Sequence, residues 1–167
     1  MPFLLQKFTR KSILLIAFGV GLTGCGESSN TVLVKGRLLK GGARYVPPQG
    51  HVVEVTFVAS EIENPGGQVT KSSEPFDADY NDDDGTFVVP GREGRGIPPG
   101  KYRVAVTQRM LREAFDAAKP KAKRGQKPIT RETDFLDDRF GMSSSPIFRE
   151  IKGKTELVID LDDPTKG

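Results

Sequence analysis

A chain of 167 residues, 36% of them hydrophobic, is long enough for one domain with a buried core. A single cysteine excludes an internal disulfide, and with only one histidine it excludes a Cys/His zinc cluster. Of the 25 lysines and arginines, Lys7, Arg10 and Lys11 precede Cys25 and no acidic residue does, so 22 charges of each sign follow. That balance lacks the positive field expected of a nucleic-acid binder.

The first element is an export signal over 1–24: a basic start, an apolar run from Ile13 to Leu22, then small residues. As a helix that run would be about 15 Å long, half the thickness of a hydrocarbon core, too short to span. It ends in Leu22-Thr23-Gly24-Cys25. This stretch resembles the lipobox of bacterial lipoprotein precursors: an aliphatic residue, two small residues and the cysteine. The resemblance implies lipidation of the Cys25 thiol and cleavage after Gly24. One acyl chain holds a protein only marginally at a membrane, whereas two or three hold it stably. Residues 25–31 read as a short flexible tether. Gly26 stands where an aspartate would resemble the inner-membrane retention signal of enteric bacteria, so the expected address is the outer membrane or the cell surface.

From 32 to 163 short alternating runs recur between glycine and proline turns, the pattern of sandwich strands. Val32, Val34 and Leu38 share one face; so do Val53, Val55, Phe57 and Ala59; so do Phe87 and Val89 after Gly85; so do Tyr102, Val104 and Val106. A weaker strand is expected over Gln68–Ser73. Pro99-Gly100 has the chemistry of a type II turn. Ile147–Lys152 and Thr155–Leu161 flank Gly153 as a hairpin would. The expectation is an all-β, about seven-stranded antiparallel β-sandwich, with an insertion over 108–135. In that insertion Met110, Leu111, Ala114, Phe115 and Ala118 fall at helical spacing, which predicts a short helix laying its apolar side on the sandwich. A basic loop bounded by prolines follows, with Lys119, Lys121, Lys123, Arg124 and Lys127.

The order of DDDGTFVV, GIPPGKYRVAV and RFGMSSSPIFREIKGKTELVIDL, behind an opening VLVKGRLLKGG, resembles small lipoproteins abundant in planctomycete bacteria. Those carry a transthyretin-like, or carboxypeptidase regulatory-like, β-sandwich. The likeness covers most of 32–161 and departs from the pattern at the 108–135 insertion and at Gly41-Gly42-Ala43-Arg44. It implies a fold and an address and carries no activity with it.

Two clusters invite binding chemistry. Asp77, Asp79, Asp82, Asp83 and Asp84 offer oxygens of the kind calcium takes, although EF-hand spacing fails: counting from Asp79 puts Asp84 and Pro90 where Gly and Glu belong. A solvated turn with positive φ at Gly85 explains the same residues. The basic loop could hold acidic headgroups or anionic polysaccharide near the anchored surface, or serve only to keep a loop soluble. His51 heads a strand with no Ser and acid signalled beside it, and no nucleophile elbow or zincin motif occurs. The expected function is therefore a lipid-anchored, non-catalytic binding or structural module of the cell envelope, with no cofactor beyond a candidate calcium. The alternatives are an accessory subunit of an envelope complex, contacting it through the 110–118 helix, and a calcium- or polysaccharide-binding surface domain.

Overall fold

A computed structural model describes residues 30–118, 121 and 123–166. The lipobox, Cys25 and Lys119 lie outside these residues. The described chain folds as nine strands: β1 Val34–Lys40, β2 Ala43–Arg44, β3 His51–Glu63, β4 Val69–Lys71, β5 Pro75–Asn81, β6 Thr86–Val89, β7 Gly100–Met110, β8 Phe148–Ile151 and β9 Thr155–Asp160. One helix, α1, spans Arg112–Ala118.

The strands form a single curled sheet with two faces turned towards each other. One layer is built on β3, which pairs with β5 and β4 on one side and with β7 on the other, and β7 in turn pairs with β8. The other layer is built on β1, flanked by β6 and β9 and touched at its end by β2. Strand β5 belongs to both layers: its first half pairs with β3 and its last three residues with β6. This makes the fold an all-β sandwich closed along β5, with β8 and β9 as the edges opposite.

The alternation seen in the sequence builds the core. Val34, Leu38, Val55, Phe57, Phe87, Tyr102, Val104 and Val106 are essentially inaccessible. Phe57 packs against Phe87 and Tyr102, with ring centroids 5.9 and 6.2 Å away. Gly36 fills the gap in the β1 alternation for a steric reason. A Cβ there would lie 2.4 Å from the tip of the Phe87 ring and 2.6 Å from the Leu157 carbonyl oxygen.

Four expectations need correction. The final two strands are no hairpin: β8 pairs with β7, while β9 crosses layers and runs parallel to β1. Both strands face their apolar residues inwards in either arrangement, so alternation cannot choose the partner, and Gly153 does not take the positive φ of a tight hairpin turn. Gly100 is extended (φ 159) as the first residue of β7. Glycine is required there because a Cβ would stand 2.1 Å from the Glu61 carbonyl oxygen, beside the bulge between Ala59 and Glu61. The helix starts two residues later than its periodicity and buries no residue, for β7 claims Met110 by pairing with His51. Its Ala114 rests against Gly50, and Arg131 covers Phe115 from outside, 5.7 Å from the ring, while bonding Asp116 at 2.8 Å. Lastly, Pro75–Asn81 is a strand, so Asp77 and Asp79 stand on its outer face and only Asp82 to Asp84 form the turn.

Candidate functional site

The registers sort the loops into two ends. Val32, Ile97, Gly100, Ile151 and Thr155 lie together at one end, where Val32 and Ile97 exchange backbone hydrogen bonds of 2.8 and 2.9 Å. Lys40, Arg44, His51, Asn81, Met110 and Asp160 lie at the other. Strand β7 runs between the two ends, eleven residues or about 33 Å. Asn30 and Thr31 lead into the first end; the acidic turn, α1 and the basic loop belong to the second.

At the first end the outer surfaces of β1, β6 and β9 bound a half-open groove of about 840 Å³. Leu33 and Val88 supply apolar floor, and Lys35, Lys152, Lys154 and Glu156 supply charge. Leu33 is 41% exposed. Lys152 bonds Glu150 at 3.1 Å and Glu156 faces Arg37 at 3.8 Å. Lys35 and Lys154 have no ion pair among the described residues.

The acidic segment does not converge. Asp77 accepts a 2.8 Å hydrogen bond from Thr56, and Asp84 accepts from both the backbone and the hydroxyl of Thr86, which hold its carboxyl below the usual carboxylate range. Gly85 turns the chain with φ 71. The Asp83 amide donates to Asn81, Asp79 is exposed on β5, and Asp82 Oδ1 is enclosed without a hydrogen-bond partner. Among the described residues no three Asp, Glu, His or Cys groups come together as a metal site would need. Lys121, Lys123, Arg124 and Lys127 are exposed on the far-end loop.

A polar cluster at the far end was not foreseen. Gln108, buried at the end of β7, accepts from the Tyr45 hydroxyl and bonds His51 Nδ1 at 3.0 Å, while His51 stacks edge-on against Phe135 at 4.6 Å. The Tyr80 hydroxyl donates to the Tyr45 carbonyl. Buried Asp134 accepts the backbone amides of Gln108 (2.9 Å), Leu136 (3.0 Å) and Asp138 (3.2 Å). It thereby staples the 108–135 insertion to the sandwich and holds a turn in which Asp137 and Asp138 both take positive φ. Burial, then the Asp134 charge, pushes the Tyr45 hydroxyl pKa up. The cluster holds no nucleophile–base pair; its bonds are those of a structural plug. Single polar residues far apart in sequence give no motif, so only the alternation carrying Gln108 onto the face of Val104 and Val106 signals it.

No family model matches the chain, and no solved structure matches it. A stretch of 36 residues is 47% identical to a UPF0262 protein of Paracoccus denitrificans, covering 22% of each of the two chains. The chain thus spans about a fifth of that relative's length.

Proposed function

We propose that this chain is a lipid-anchored module of the cell envelope, held at the outer membrane or cell surface by acyl chains on Cys25 and acting by binding or scaffolding. The observation that carries the reading is the distance between anchor and fold. The first β-bridged residue among those described, Val32, follows Cys25 by seven positions. What lies between is small and polar, and a β-sandwich begins at once, as a tethered domain requires. No helix among the described residues is long and apolar enough to cross a membrane; the attachment proposed is through Leu22-Thr23-Gly24-Cys25. The likeness to planctomycete lipoproteins with a transthyretin-like domain supports the same reading.

Intact-mass measurement on protein from native membranes tests it. The expected species begins at Cys25 with added acyl mass, and Cys25→Ser leaves an uncleaved precursor or releases the domain. A chain still processed and membrane-held after that substitution refutes the anchor.

A further inference from the structure

We infer that the lysine-bearing groove at the tether end is the surface this domain turns to the bilayer, and that Lys35, Lys152 and Lys154 seat the headgroups of anionic phospholipids. The inference rests on the anchoring at Cys25 proposed above and adds an orientation and a ligand class to it.

The geometry argues first. Seven residues from Cys25 to Val32 reach at most about 25 Å when fully extended. The far end stands about 33 Å away along β7. The tether is too short for the domain to stand on its far end, so the basic loop Lys121–Lys127 is turned away from the membrane in any upright pose. The groove begins at the residue where the tether ends: Asn30 and Val32 are part of its wall.

Charge argues second. Lys35 and Lys154 are left without ion pairs among the described residues, and Lys152 shares only the exposed Glu150. Against them the groove sets one carboxylate, Glu156, already facing Arg37. The parallel pairing of β9 with β1 places Lys35 opposite Glu156, two residues from Lys154. Three ammonium groups around the apolar floor of Leu33 and Val88 match a phosphate head with the start of its glycerol chain. Within about one Debye length of an anionic leaflet each cation adds attraction that salt weakens.

The test uses the full lipidated chain, reconstituted in vesicles of phosphatidylcholine alone or mixed with phosphatidylglycerol. Lysine acetylation is then read residue by residue by mass spectrometry. On anionic vesicles at low salt, Lys35, Lys152 and Lys154 should react roughly fivefold more slowly than on neutral ones, the factor of about one cation's attraction. High salt should abolish the protection, Lys121, Lys123 and Lys127 should stay reactive throughout, and Lys35→Glu with Lys154→Glu should restore reactivity at Lys152. Equal reactivity on both vesicles, with acylated Cys25 confirmed by mass, overturns the inference and leaves the anchor standing. Protection at Lys121–Lys127 instead, or protection indifferent to lipid charge, also overturns it. A chain with a free thiol that fails to float with vesicles overturns both.

Discussion

Replacing Asp134 tests whether one carboxylate holds the insertion to the sandwich. Its two oxygens accept three backbone amides, and the bonds to Gln108 and Leu136 are buried. Alanine leaves three donors unmatched. At about 1–3 kcal/mol for each buried donor, with the half-exposed Asp138 amide counted at the low end, Asp134→Ala should cost about 4 kcal/mol. Domains of this size are typically stable by about 5–15 kcal/mol, and each kcal/mol lowers the melting temperature by roughly 2–4 °C. A drop on the order of 10 °C is expected. Asp134→Asn keeps Oδ1 for the two buried bonds and turns an NH₂ towards the Asp138 amide, so it should lose less than half as much. Urea denaturation followed by circular dichroism measures both, with an unchanged slope as the sign that only stability moved. Hydrogen exchange should quicken at Gln108, Leu136 and Asp138 first. An alanine variant within about 1 kcal/mol of wild type, or an asparagine variant as damaged as the alanine, would show that the insertion is held by something other than this carboxylate.

Two further outcomes follow from the core. Gly36→Ala should destabilise by about 2–4 kcal/mol through overpacking and backbone shift, since its Cβ meets both Phe87 and the Leu157 carbonyl. Adding Phe87→Leu should recover only the part due to the ring, and full recovery in the double variant would show that the carbonyl contact is harmless. All three tyrosine hydroxyls donate to acceptors, Tyr45 to Gln108, Tyr80 to the Tyr45 carbonyl and Tyr102 to the Pro98 carbonyl at 2.5 Å, and burial raises each pKa above 10.0. A raised pKa in the folded state means the neutral form is favoured there. The stabilisation is fully present below pH 10 and is lost as pH climbs towards the folded values. Tyrosinate absorbance should therefore be missing near pH 10 and rise together with unfolding; a tyrosine titrating normally in the folded protein refutes this.

Much of the fold was legible because burial imposes period-two alternation wherever a strand has one wet face. Val53 to Ala59 and Tyr102 to Val106 carry that pattern openly, and each is buried as read. Phe76, Ala78 and Tyr80 carry it too, but the aspartates between them made a strand look like part of an acidic turn. Partner choice is a different kind of information. Nothing in the residues of β9 says that β1, more than a hundred positions earlier, is its neighbour, and so the groove formed by Lys35, Lys152 and Lys154 could not be seen. The Asp134 staple was hidden for the same reason, since its partner Gln108 lies 26 residues away.

The parallel ladder between β1 and β9 has a mechanical corollary. Six residue pairs, Val34 with Thr155 through Leu39 with Asp160, join the first long strand to the last. A pull from the amino-terminal side drags β1 from its beginning, while a pull from the carboxyl-terminal side drags β9 from its end, in the opposite direction. The hydrogen bonds then lie across the line of force and must rupture together in shear, where a hairpin of the two last strands would have unzipped one bond at a time. A domain so wired resists tension applied between its first and last strands.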